Sequence, residues 1–185
     1  ISVSDVDEDD LTLTLSGTDA DSFDLSTDNV LTFKEAPDFE TKSSYSITLT
    51  LTDGTETVSK DISVTVTNVN DIAPVFTSSA TFSADENQTA IDTITATDAD
   101  GDAVTFTVSG TELAITSAGV LTFSSAPDYE TKTSYTATVT ASDGASNSST
   151  QDITVNINNL NDNSPAFSSG ATFSADENQS AIGSV

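Results

Sequence analysis

The chain has 185 residues, 30 of them acidic and four basic, and carries a formal net charge of −26. Such a surface repels nucleic acid and anionic membranes and draws cations instead. With no Cys and no His, disulfides, thiolate metal sites and most nucleophile–base constellations are excluded.

In chain order, apolar and polar residues alternate at period two in "TLTLS" (12–16), "YSITLTLT" (45–52), "DISVTVT" (61–67), "VTFTVS" (104–109), "YTATVTAS" (135–142) and "DITVNIN" (152–158). This alternation predicts strands with one face on a core. One parity, Ile62, Val64 and Val66 and then Ile153, Val155 and Ile157, faces inward while Thr, Ser and Asn face water. Thr also suits the pleat, because its branched side chain packs well there. Turn signals separate about seven short strands in each stretch of ~90 residues, the pattern of a β-sandwich. No segment carries a helical period. Disordered chains of high charge lack such regular alternation, so the chain reads as folded.

The pattern repeats. "VLTFKEAPDFETKSSY" (30–45) returns as "VLTFSSAPDYETKTSY" (120–135), and "FSADENQTAI" (82–91) as "FSADENQSAI" (173–182). "SDVDED" (4–9) matches "TDADGD" (97–102), and "LTDG" (51–54) matches "ASDG" (141–144). Residues 1–72 read as a first repeat without its first strand, 73–162 as a complete second repeat, and 163–185 as the first strand of a third. No signal peptide is visible and no apolar run approaches a membrane span. The chain opens inside a Thr/Ser/Val pattern, so it reads as a piece of something longer. A sandwich of ~90 residues without disulfides has a small core, for which bound metal is an expected staple.

A lone Asp is ordinarily solvated surface, but five oxygen-rich clusters sit at matching places in the repeats. They are Glu86 in "ADEN", Asp98 and Asp100 in "DAD", Asp128 and Glu130 in "DYE", Asp143 in "SDG", and Asn159, Asn161 and Asp162 in "NLNDNSP". Alternate residues can point the same way, and paired carboxylates repel unless neutralised. Ca²⁺ takes 6–8 oxygen ligands in a flexible cage, whereas Mg²⁺ demands a stricter octahedron and keeps its waters. Ca²⁺ is therefore the expected cofactor.

"ADEN", "TDADGD", "APDYETKTSY", "ASDG" and "NLNDNSP", in that order, resemble the cadherin repeat. The resemblance spans the whole chain. It implies tandem seven-stranded Greek-key β-sandwiches of cadherin/immunoglobulin-like type, with Ca²⁺ in the seams between them. It also implies a cell-adhesion or filament role, extracellular or on the cell surface. Carried over, the ligands between repeats 1 and 2 are Asp38, Glu40, Asn68, Asn70, Asp71, Asp98, Asp100 and Asp143, with Ile72 offering its backbone carbonyl. After repeat 2 they are Glu86, Asp128, Glu130, Asn159, Asn161 and Asp162. Asp5, Asp7 and Asp53 in repeat 1, and Glu177 in the tail, belong to half-sites whose partners lie elsewhere.

Two departures bear on affinity and adhesion. The first linker Asp of the family is Asn68 and Asn159 here, so each seam loses one carboxylate. The chain has no Trp, which rules out adhesion by insertion of a first-strand Trp into a partner. The expected partners are neighbouring repeats of the same or an identical chain, head-to-tail, with a glycan or cell-surface protein as the adhesive target. The rival reading is a carbohydrate-binding module of a secreted protein, opposed by the scarcity of aromatics for stacking sugars. An enzyme such as a two-carboxylate glycosidase is not expected, since active sites seldom repeat in every unit. "NQT" (87–89), "NSS" (147–149) and "NQS" (178–180) are glycan acceptors only in a suitable host. Small uncharged residues and the absence of Arg point to a bacterial or marine source.

Overall fold

The computed structural model describes residues 1–182. Its strands are β1 (Thr12–Ser16), β2 (Phe23–Leu25), β3 (Leu31–Phe33), β4 (Ser44–Thr52), β5 (Thr57–Thr65), β6 (Val75–Phe76) and β7 (Thr81–Asp85). They continue as β8 (Ala90–Thr93), β9 (Ala96–Thr97), β10 (Thr105–Val108), β11 (Leu113–Ile115), β12 (Val120–Phe123), β13 (Ser134–Ser142) and β14 (Ser148–Asn158). The one helical element among the described residues is a 3-10 turn at Ala20–Ser22.

The second repeat is a sandwich. One sheet runs β10-β13-β14-β7 and the other β11-β12-β8, with a short β6-β9 pair beside them. The alternation read from "YTATVTAS" and "DITVNIN" is realised as the long antiparallel pair β13–β14, from Ser134↔Asn156 to Ser142↔Ser148. Ile153, Val155 and Ile157 are buried as their parity requires. Together with Phe82, Ala84, Phe106, Val139 and Ala141 of the first sheet, they pack against Leu113, Leu121 and Phe123 of the second, with Ile94 between β8 and β9 in the same cluster. The first strand is divided: β6 pairs with β9 in an antiparallel sense, whereas β7 runs parallel to β14. Counting β6 with β7 and β8 with β9 as single interrupted strands gives the seven strands read from the sequence.

The first repeat builds the matching sheets β1-β4-β5 and β2-β3, with fewer strands. Phe23, Ile47 and Leu49 are buried, and the rings of Phe23, Phe33 and Tyr45 cluster at centroid distances of 4.4–5.6 Å. Ile62, Val64 and Val66 are only half-buried, unlike their counterparts on β14, because β5 has no strand beyond it. Residues 163–182 form no strand, although "TFSAD" (172–176) is identical to β7. The last part of the expected third-repeat strand, 183–185, lies outside the described residues.

Gly119 closes the turn before β12 at φ +91°, and a Cβ there would collide with the carbonyl of Ile94. The left-handed conformation costs a non-glycine residue about 1–2 kcal/mol before any collision. Gly119→Ala should therefore lower the melting temperature of repeat 2 by roughly 5–15 °C. Gly54→Ala, at φ +93° but with open space around it, should lower that of repeat 1 less. Calorimetry on the two variants checks the order.

Candidate metal centre at the seam between repeats

The segment between β5 and β6 crosses from one sandwich to the next, and its polar residues meet the loop after β9. Asp100 is the junction. Its Oδ2 accepts the backbone N–H groups of Asp71 (3.1 Å) and Ile72 (2.9 Å), while Asn68 Nδ2 donates to its carbonyl (2.9 Å). Asp98 shapes that loop as an Asx turn, its Oδ1 accepting the N–H of Asp100 at 3.0 Å. As a result, ligand oxygens of Glu40, Asp71 and Asp100 lie within 4.8 Å of one another, and so do those of Asp98, Asp100 and Asp102. Asp100 belongs to both groups.

Two oxygens in this junction, Asp98 Oδ2 and Asp100 Oδ1, are buried without a hydrogen-bond partner among the described residues. Buried carboxylate oxygens left in this way are costly. Desolvation, and then the neighbouring Asp100 carboxylate, holds Glu40 above its ordinary value.

The flanking residues hold the junction in shape. Asp38 caps its turn, with Oδ1 accepting the N–H groups of Glu40 (2.9 Å) and Thr41 (3.2 Å) and Oδ2 accepting the Thr41 hydroxyl (2.9 Å). These bonds, led by that of the Thr41 hydroxyl, hold Asp38 below the usual carboxylate range. Asp143 is buried, and desolvation pushes it upward. Hydrogen bonds from Ala145 N–H and from Asn147 outweigh that effect and leave it below its ordinary value. Asn147 Nδ2 then ties Asp143 Oδ2 (2.7 Å) to Asn70 Oδ1 (2.7 Å), joining linker and second repeat.

Beyond repeat 2 the arrangement recurs in part. Glu86 is only 2% exposed, and its carboxylate accepts the backbone N–H groups of Tyr129 (2.8 Å) and Leu160 (2.7 Å). Ligand oxygens of Glu86, Glu130 and Asp162 lie within 4.8 Å of one another. Asp128 caps its turn as Asp38 does, and Asn159 Nδ2 reaches Glu130 at 3.4 Å. Asn161 is exposed. In repeat 1, Asp5 and Asp53 line one cavity of about 230 Å³. Asp7 donates its backbone N–H to Asp5 (2.8 Å), and Asp53 caps its own turn. Glu177 is exposed in the tail.

Three residues of these sites were not singled out from the sequence. Asp102 completes a second carboxylate group, and the D-x-D-x-D spacing of "DADGD" was the available signal. Asn147 and Asn87 stood out only as glycan acceptors. In the fold Asn147 bridges linker and loop, and Asn87 Nδ2 donates to Asp162 Oδ2 at 2.6 Å.

The paired sheets, divided first strand and buried inter-sheet core define an immunoglobulin-like β-sandwich. A model of the family described as "Bacterial Ig domain" matches residues 70–156. The chain is similar to the protocadherin gammaB7 EC3-6 cis-dimer structure, at 26% identity and a TM-score of 0.71 over 82% of this chain and 42% of that one. Human protocadherin-24 EC1-2 gives 20% identity and a TM-score of 0.68 over 84% and 85% of the two chains. Drosophila N-cadherin EC1-4 gives 24% and 0.67 over 84% and 43%. The chain thus spans about two fifths of the protocadherin gammaB7 structure that it matches. No curated protein matches it by sequence. In fold, the chain is similar to cadherin repeat domains.

Proposed function

We propose that the chain is a calcium-stiffened structural module of an extracellular, cell-surface adhesive protein, with domain boundaries near residues 72 and 162. The observation that carries this reading is the junction at Asp100, where five carboxylates converge and two buried oxygens have no partner. Carboxylate and amide oxygens suit a hard cation, and a cage of this size and irregularity suits Ca²⁺ better than Mg²⁺. Glu40, Asp71, Asp98, Asp100 and Asp102 would hold the ion, with Asn68 and Asn70 beside them. Bound there, it would offset the mutual repulsion of the carboxylates and fix the angle between the sandwiches. Beyond repeat 2, Glu86, Glu130 and Asp162 form a half-site of the same kind. The reading includes no catalytic step, and repeats joined head-to-tail would give a filament.

The test is calorimetric titration with Ca²⁺. Asp71→Ala should weaken binding roughly 10–100-fold, because it removes an anionic oxygen from the middle of the seam. Asn68→Ala, which removes only a neutral amide, should weaken it less. Equal losses, or no Ca²⁺ uptake by the parent chain, would overturn the assignment.

A further inference from the structure

The hairpin that joins β13 to β14 reaches the linker through the side chain of Asn147. It closes over five residues, 143–147, between Ser142 and Ser148. The matching hairpin of repeat 1 closes over four, 53–56, between Thr52 and Thr57. The longer loop comes with a left-handed residue, Ser146 at φ +85°, a conformation that costs any side chain but glycine. Asn147 follows it directly and is half-buried. The last loop residue of repeat 1 is Glu56, which is exposed and whose carboxylate can only accept.

Asn147 Nδ2 lies among three oxygens: Asp143 Oδ2 (2.7 Å), Asn70 Oδ1 (2.7 Å) and the Asn70 carbonyl (3.2 Å). A carboxylate and a backbone carbonyl only accept hydrogen bonds, so the amide must turn its nitrogen towards them. Asp143 Oδ1 is engaged as well, accepting the N–H groups of Ala145 (2.7 Å) and Asn147 (3.3 Å). Two residues on, Ser149 donates its hydroxyl to the Pro74 carbonyl, which ties the linker to β14 at a second point.

The cadherin resemblance assigns Asn70 and Asp143 to Ca²⁺. Here their oxygens converge on a neutral donor, and Asp143 belongs to none of the carboxylate groups found among the described residues. Ca²⁺ takes 6–8 oxygens at about 2.3–2.6 Å. This corner offers three, each already bonded to the amide. It does not fit a cation.

We infer that the Asn147 carboxamide takes the place of a cation at the Asp143 corner of the seam and latches the linker to repeat 2 with or without Ca²⁺. Its bond to Asp143 is charge-assisted, and so stronger than a contact between two amides. The seam then has two parts: the Asp100 junction answers to the ion, and the Asn147 corner holds without it. Leaving Asp143 outside the ion's shell rests on the calcium reading above; the latch itself does not.

The 185-residue chain has no Cys, so spin labels can be placed through Thr67→Cys in the linker and Thr136→Cys on β13, both exposed. Pulsed dipolar distances between them are measured in EGTA. Asn147→Ala should raise the population of displaced distances about tenfold or more, the loss expected for a charge-assisted hydrogen bond. Asn147→Asp keeps the size of the side chain but turns an acceptor towards Asp143, and it should do the same. Asn70→Ala should displace the linker less, since its backbone carbonyl remains, and combining it with Asn147→Ala should add nothing further. Unchanged distances in both Asn147 variants, or additive effects of Asn70→Ala and Asn147→Ala, would overturn the latch. With Ca²⁺ present, calorimetry on Asn147→Asp should count one ion more than on the parent, because a carboxylate replaces the donor. Equal counts would overturn the exchange of amide for ion. Should the parent take up no Ca²⁺, the calcium reading falls while the distances in EGTA still judge the latch.

Discussion

Glu86→Ala is expected to destabilise repeat 2 by about 1–3 kcal/mol even when every divalent cation is chelated. Its carboxylate is buried and accepts two backbone N–H groups, from Tyr129 and from Leu160. Truncation leaves both donors without that acceptor; the N–H of half-buried Tyr129 then costs about 1–3 kcal/mol, whereas Leu160, 41% exposed, can turn to water. A domain of this size has about 5–15 kcal/mol in total, so the loss is a sizeable share of the stability of repeat 2. Glu86→Gln should fall between variant and parent, because its amide oxygen can satisfy only one of the two donors. Glu130→Ala, at an exposed position of the same cluster, should leave stability in EGTA nearly unchanged. Urea titrations of the three variants decide the matter. If Glu86→Ala and Glu130→Ala matched in EGTA, Glu86 would serve the cation alone.

Chelating Ca²⁺ is expected to loosen the joint between the repeats while each sandwich keeps its strands. The proposed ligands sit at the ends of the domains, whereas the apolar cluster that holds repeat 2 together lies between its sheets. Two like charges at about 4 Å repel by about 1 kcal/mol in water and about 4 kcal/mol at the dielectric of a partly buried site. Without a cation the carboxylates at Asp100 push linker and loop apart, against only a few hydrogen bonds. Small-angle scattering should therefore broaden its distribution of maximum dimensions in EGTA, with the far-UV spectrum unchanged. Adding about 0.5 M NaCl in EGTA should narrow it part of the way, since salt screens exposed charge. Identical profiles with Ca²⁺ and EGTA would count against a metal joint.

The strands were legible because alternation is local: a run such as "DITVNIN" states which residues face the core whatever lies opposite. Hydrogen bonds across the seam are not local. Asn147 and Asn70 stand 77 positions apart, and nothing in "NSS" announces that its amide will bridge a linker to a loop. The carboxylates lay between these cases, because each cluster shows in a short motif while the convergence of Glu40, Asp71 and Asp100 exists only in space. The pentapeptide "TFSAD" marks the limit of reading a strand from residues alone. At 81–85 it is β7, paired with β14, and at 172–176 the identical letters form no strand. Strand propensity describes how well a segment fits a pleated surface, and it is realised only where such a surface is offered.

The parallel pairing of β7 with β14 also decides how repeat 2 responds to pulling. Tension along the polypeptide enters near β7 and leaves near β14, so it drives these two neighbours past each other lengthwise. Five residue pairs, from Thr154↔Thr81 to Asn158↔Asp85, then resist in shear and share the load, rather than opening one after another as in a peeled hairpin. Under such a load, the mechanical strength of repeat 2 would come from the direction of one strand.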